Sequence, residues 1–269
     1  MNYLPQEAKI SLDVAESVLK SNDPEPLRLK KLCWSLMLLR STGLGNALRQ
    51  LIGNSIYSGP FKGMTLIKEC SRPPLILGCY EHELHPVVED IIARGYDRIL
   101  NIGCSLGYYA VGFARRMPQT KVEGFDIDPG VRALFNSMVE LNGVGDRVCV
   151  SGEFFGKNFE TYANEKTLVF MDIEGAEEEL LNPEAFPALK KMDVVVELHD
   201  VMRPGISEKI LKRFEPTHTL EVIQNKNILP DISALLPPQT FLDPYDHMLL
   251  GWESRDGFTP WGVFRVKTA

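Results

Sequence analysis

From Pro73-Pro74 almost to its last residue the chain alternates short apolar runs with amphipathic stretches of helical period, and this alternation constrains the fold more than any other feature. Strands that read as nearly continuous apolar runs need cover on both faces, so the pattern predicts a parallel sheet sheathed in helices, an α/β fold. The expected strands are Arg98 to Ile102, Lys121 to Asp126, Arg147 to Ser151, Thr167 to Asp172, Asp193 to Leu198, His218 to Gln224 and Trp261 to Lys267. Helices are expected between them, in EHELHPVVEDIIARG, YYAVGFARRM, PGVRALFNSMVELNG, GAEEELL and ISEKILKRF. No internal repeat breaks the series.

The first seventy residues read differently. Ile10, Val14, Val18 and Leu19 recur at helical spacing, and a second helix opens near Pro26, with Ser41-Thr42-Gly43 expected to break it. YSGPFKGMTL then suits a hairpin or irregular loop. The expected organisation is a small N-terminal helical cap and loop region over 1–72, followed by one domain over 73–269. A late run, NKNILPDISALLPPQTFLDPYDH, is rich in proline and without clear period. It is read as a loop that meets the substrate, or equally as a packing cap or dimer contact.

Charge narrows the partners. With 269 residues, 44% hydrophobic content and a formal charge of −7, the chain can bury a large core but lacks the basic surface that nucleic acid requires, so no nucleic-acid partner is expected. MNYLPQEAKISLD does not read as a secretory signal, and no apolar run reaches the ~20 residues of a membrane span. A cytoplasmic location follows as the expectation. The five cysteines include no Cys-x-x-Cys pair and are read as reduced, mostly buried thiols.

The chemistry is sought at the carboxyl ends of the strands, where open parallel sheets bind ligands. NIGCSLGYY places Gly103 and Gly107 around Ser105 just after the first strand. It is neither a phosphate-binding Gly-Lys-Ser/Thr loop nor the Gly-x-Gly-x-x-Gly of dinucleotide folds. Asp126 ends the second strand about twenty residues later, where a carboxylate can accept from both hydroxyls of a ribose. Ile127 would offer adenine an apolar edge, Glu153 could accept from its amino group, and Asp128 before Pro129 reads as a helix cap. Asp172 and Glu174 emerge at the end of the fourth strand, and Glu197 and His199 at the end of the fifth.

Together, YEHEL, NIGCSLGYY, GFDIDP, SGE, FMDIEGAEEELL and VVVELH resemble the class I S-adenosylmethionine-dependent methyltransferases, and within them the FkbM-like family, over roughly Leu75 to His199. The resemblance implies a Rossmann-like seven-stranded, mostly parallel sheet, with helices on both faces and the last strand antiparallel. It implies that the loop Gly103, Cys104, Ser105 and Gly107 lets the backbone approach the methionine moiety, with Asp126 on the ribose and Glu153 on the adenine. Tyr80 and Glu81 would close over the cofactor. Asn101 departs from the acidic residue usual at its position, and is expected to offer the cofactor's ammonium a carbonyl instead of a charge.

The reaction implied is O-methylation of a hydroxyl on a sugar, glycolipid or natural-product intermediate, with a small-molecule or glycan-like acceptor and a homodimer left open. His199 is the candidate base, with Asp172 and Glu197 beside it. A divalent metal held by Asp172, Glu174, Glu197, His199 and Asp200 is an alternative that the spacing does not demand. The competing readings are a nicotinamide-dependent oxidoreductase and a non-catalytic binding or scaffold protein.

Overall fold

The structure, a computed structural model, describes residues 6–225, 231–236, 242–255, 257 and 259–267, with side chains from residue 12 onward. The chain divides into two units, one of Met1–His82 with Leu229–Ser254, the other of Glu83–Ile228 with Arg255–Ala269.

The first unit contains α1 (Gln6–Lys20), α2 (Glu25–Ile52) and α3 (Pro73–Leu77). The expected break at Ser41-Thr42-Gly43 does not occur, and α2 runs unbroken for 28 residues. A glycine inside a helix costs about 1 kcal/mol, too little to stop a helix that buries Ser41, Leu44, Gly45 and Leu48 on one face. Gly45 has a packing purpose, because a Cβ there would lie 1.8 Å from the Ser71 carbonyl oxygen. The turn-rich stretch that follows is a tight hairpin, with Ile56 N–H donating to Met64 O and Gly63 N–H returning to Ile56 O. Arg49 donates to the Ile67 and Cys70 carbonyls at 2.7 Å and so fixes the loop beyond it.

The late proline-rich run differs from its reading as well. Its residues 226–230 and 237–241 lie outside the described residues, but a helix is built over Pro244–Gly251. Asp243 caps that helix by accepting from Asp246 N–H at 2.8 Å, with Pro244 in the first turn, and this Asp-Pro pair was its signal in the sequence. It belongs to the first unit, where Trp252 meets Trp34 edge-on at 5.1 Å.

In the second unit the elements follow as α4 (His85–Arg94), β1 (Arg98–Ile102), α5 (Tyr108–Arg116), β2 (Lys121–Phe125), α6 (Pro129–Leu141) and β3 (Val148–Ser151). Then come β4 (Thr167–Met171), α7 (Glu177–Leu180), β5 (Asp193–Glu197), α8 (Ile206–Phe214), β6 (His218–Ile223) and β7 (Trp261–Val266). Numbered along the whole chain, the helix at Pro244–Gly251 is α9.

The seven strands form one sheet in the order β3-β2-β1-β4-β5-β7-β6. β7 runs antiparallel to both neighbours, and the remaining pairings are parallel. This is the Rossmann-like, mostly parallel sheet, flanked by helices, with the final strand inserted in reverse. Both faces are buried, as the apolar runs require. Leu100, Ile102, Val169, Met171, Val194 and Val196 belong to one core, while Phe170 packs against Tyr109, Phe113 and Trp261. Strand order reverses between β1 and β4, which is where a ligand crevice is expected.

Candidate active site

The rim of the sheet is stitched strand to strand just beyond the last paired residues. Gly103 N–H donates to Phe125 O at 2.9 Å, Asp172 N–H to Ile102 O at 3.0 Å and Asp126 N–H to Ser151 O at 3.2 Å. Gly103 has φ +76°, and a Cβ there would stand 1.6 Å from the Asp172 carbonyl oxygen. Only glycine lets the end of β1 lie this close to the end of β4.

The glycine loop turns on left-handed backbone at Gly103, Ser105 (φ 46°) and Gly107 (φ 88°) and runs into α5. Ser105 N–H donates to Asp126 Oδ2 at 3.2 Å, and Asp128 N–H to Asp126 Oδ1 at 3.0 Å. The carboxylate at the tip of β2 is therefore oriented by backbone on both sides. Asp128 caps α6 as read, accepting from Gly130 and Val131 N–H. Cys104 is buried below the loop, and burial, helped by the nearby Asp126 charge, pushes its thiol up to about 12, so it packs and does not react.

These tips surround a cleft of about 450 Å³ lined by Gly103, Asp126, Ile127, Glu153, Phe154 and Asp172 among others. The structure thus brings Gly103, Asp126, Ile127, Glu153, Asp172 and Glu174, six of the sequence-selected residues, to one cleft, whereas Glu197 and His199 are not among its lining residues. Ile127 is 78% exposed, leaving an apolar side chain at the cleft for a flat ligand to cover. Phe125 and Phe154 meet edge-on at 4.8 Å beneath it.

Asn101 stands apart from these. It is buried in β1, its Nδ2 3.4 Å from Phe170 O, and its Oδ1 has no hydrogen-bond partner among the described residues. A buried acceptor left unpaired costs about 1–3 kcal/mol and invites a donor. Tyr80 and Glu81 belong to the first unit, where Glu81 is buried at φ 48° and its N–H donates to Glu253 at 2.6 Å.

His199 is surrounded by acid. It is 2% exposed, its Nδ1 lies 2.7 Å from Glu177 Oε1, and its Nε2 lies 3.6 Å from Asp172, 3.4 Å from Glu174 and 3.6 Å from Glu197. Burial alone would lower its pKa, but the Glu177 hydrogen bond and the charges of Glu177, Glu197 and Asp172 outweigh it and raise the value to about 9. The imidazolium supplies the positive charge these carboxylates need. Glu197 also receives Arg255 Nη1 at 2.6 Å and the Thr259 hydroxyl at 2.5 Å.

Asp200, counted among candidate metal ligands, is engaged elsewhere. It accepts from the Gly205 and Ser207 backbone at 3.0 and 3.3 Å and from the Ser207 hydroxyl, shaping the turn into α8. Glu177 is the residue the site reading missed. It is the last residue of the DIEGAE run, where i+3 from Glu174 was legible, but nothing in the spacing foretold that it would be wholly buried against His199.

No family model matches the chain, and no curated protein matches it. Solved structures do. The O-methyltransferase TomG from Streptomyces achromogenes, involved in tomaymycin synthesis and solved in complex with SAM, is 15% identical, covering 98% of this chain and 100% of its own, at a TM-score of 0.47. An O-methyltransferase from Bacillus cereus in complex with SAH is 14% identical over 98% of this chain and 91% of its own, at 0.43. A precorrin-6y C5,15-methyltransferase from Geobacter metallireducens is 10% identical over 67% and 89%, at 0.45. The chain is similar to these at the level of overall fold, and the strand order and register above define that fold independently of them.

Proposed function

We propose that this chain is an S-adenosylmethionine-dependent methyltransferase acting on a hydroxyl of a small-molecule or glycan-like acceptor. The observation that carries the reading is the convergence of Gly103, Asp126, Glu153 and Asp172 on one cleft at the point where strand order reverses. Two features of the chain fit such a cofactor: the glycine cradle at Gly103, which side chains would fill, and the buried Asn101 Oδ1, which has no hydrogen-bond partner among the described residues.

When bound, the cofactor supplies an electrophilic methyl group on a sulfonium. The residues would divide the rest of the work. Asp126 accepts from the ribose hydroxyls, Ile127 covers one face of the adenine, and Glu153 accepts from its amino group. The loop Gly103 to Gly107 brings backbone to the methionine portion, with Asn101 Oδ1 available to its ammonium. Holding acceptor oxygen, methyl carbon and sulfur in line is the larger contribution, and removal of the hydroxyl proton adds a factor of about 10²–10⁴. The neutral form of His199, which stands behind Asp172 and Glu174 of the cleft lining and gains population as pH rises toward 9, would take that proton, with Glu197 beside it. The bound cofactor would supply the rest of the chemistry, its methyl group passing to the acceptor oxygen with the carbon–sulfur electron pair left on sulfur.

The affiliation with the FkbM-like family rests on the Asp172-Ile173-Glu174-Gly175-Ala176-Glu177 run and the order of motifs around it. The acidic rim favours a neutral or cationic acceptor over a phosphorylated or carboxylated one. Calorimetric titration with S-adenosylhomocysteine tests the reading, and radiolabelled S-adenosylmethionine with fractionated extract identifies the acceptor. Absence of S-adenosylhomocysteine binding by the folded protein would overturn it.

A further inference from the structure

We propose that Glu177 is the positioning residue of His199, fixing its ring with hydrogen on Nδ1 so that Nε2 is the one nitrogen able to exchange a proton at the acidic rim. The catalytic consequence rests on the methyl-transfer reading above, whereas the ring state does not.

Glu177 is wholly buried, and a carboxylate in such a place survives as an anion only if its charge is met locally. Three donors meet it at one oxygen. Ile173 N–H and Gly175 N–H each reach Oε1 at 3.2 Å, and His199 Nδ1 reaches it at 2.7 Å. The two amides converge because Glu174 (φ 56°) and Gly175 (φ 102°) both adopt left-handed backbone, folding the loop after β4 back over α7. Burial would raise the Glu177 pKa, but these hydrogen bonds and the His199 charge hold it below the ordinary carboxylate range.

Glu177 makes no ion pair with lysine or arginine among the described residues, so His199 is its counter-charge. A permanently ionised acceptor at Nδ1 can only receive a hydrogen, in the neutral imidazole as well as in the imidazolium. A half-turn of the ring would put Cδ2 where Nδ1 stands and leave the buried anion without this donor. Nε2 is left facing Asp172 and Glu174 on the loop after β4 and Glu197 on β5, the last already paired with Arg255. Position and proton-exchange site are thus set from behind, with His199 reaching the cleft-lining Asp172 and Glu174 on one side and Glu177 on the other. The arrangement has the logic of a base oriented by a buried carboxylate.

Nitrogen-15 NMR of histidine-labelled protein in the presence of a chelator tests this directly, since the chain has only five histidines and His199→Gln assigns the signal. In the wild type, the neutral ring is expected to show a protonated Nδ1 and an unprotonated Nε2. A protonated Nε2, or averaging between tautomers, overturns the proposal. Glu177→Leu, which removes the acceptor, is expected to shift the neutral ring toward hydrogen on Nε2, and Glu177→Asp to keep hydrogen on Nδ1 in part. A folded Glu177→Leu protein whose neutral ring still carries hydrogen on Nδ1 alone also overturns it. Should Glu177→Leu fail to fold, the wild-type and Glu177→Asp ring states still decide. Failure of S-adenosylhomocysteine to bind would end the methyl-transfer reading and leave these spectra unaffected.

Discussion

Asp126 ties the tip of β2 to the glycine loop, because its Oδ2 accepts the backbone N–H of Ser105 at 3.2 Å. The same carboxylate is therefore a structural fastener of the loop, and on the proposed reading it also meets the ribose. Asp126→Ala is expected to weaken S-adenosylhomocysteine binding at least about tenfold, the worth of one charged hydrogen bond of roughly 1.5–3 kcal/mol. Asp126→Asn, which keeps one acceptor for the loop, should retain the fold and lose most of the affinity. Calorimetry on both variants separates the two roles.

Gly103→Ala is a backbone test. The added methyl would meet the Asp172 carbonyl at 1.6 Å on a residue already at φ +76°, so the ends of β1 and β4 must part. A loss of about 3 kcal/mol or more in unfolding free energy is expected, with ligand-induced stabilisation abolished. Denaturant unfolding with and without S-adenosylhomocysteine measures both, and a variant as stable as wild type would contradict the packing described.

Two histidines give stability a pH dependence of opposite sign. His199 is raised from about 6.5 in the unfolded chain to about 9, so its contribution is complete below pH 6.5 and is lost as pH rises through 9. Its upper bound is on the order of 3 kcal/mol. Buried His218, bonded to Met192 O at 2.9 Å, has its pKa lowered mainly by burial, so its contribution is complete above pH 6.5 and is lost as pH falls below it. Thermal unfolding across this range should show a decline on each side of neutrality. His199→Gln is expected to flatten the alkaline side and leave the acid side in place.

Asn101→Asp restores a charge where the resembled family carries one. In the free protein the buried carboxylate should cost about 1–3 kcal/mol, since the neighbouring Phe170 carbonyl repels it. Saturating S-adenosylhomocysteine, with its ammonium, should recover part of that cost and give a larger thermal shift than in wild type. An equal shift in both proteins would mean that residue 101 does not meet the ammonium.

The sheet was legible because its central strands, β1, β4, β5 and most of β7, are buried on both faces and so carry their identity as apolar runs, from RILNI to WGVFRVK. Asp126 and Asp172 were legible because a charge at the end of such a run has nowhere to go but the rim. The unbroken α2 was not, since the cost of Gly43 and Gly45 is outweighed by tertiary contacts that no local pattern encodes, such as Gly45 against Ser71. Glu177 was hidden for a related reason. Three consecutive glutamates in a helix of four residues read as solvated surface, and only the left-handed turn at Glu174-Gly175 carries one of them inward.

The hand-to-hand bonding of strand ends, Gly103 to Phe125, Asp172 to Ile102 and Asp126 to Ser151, has a bearing on how such a protein can change. A floor whose planks are nailed to one another cannot be widened one plank at a time. On the methyl-transfer reading, new preferences for acceptors would therefore arise in side chains standing on that floor, such as Glu174 or Glu179, and libraries aimed at those positions should yield altered selectivity with the scaffold undisturbed.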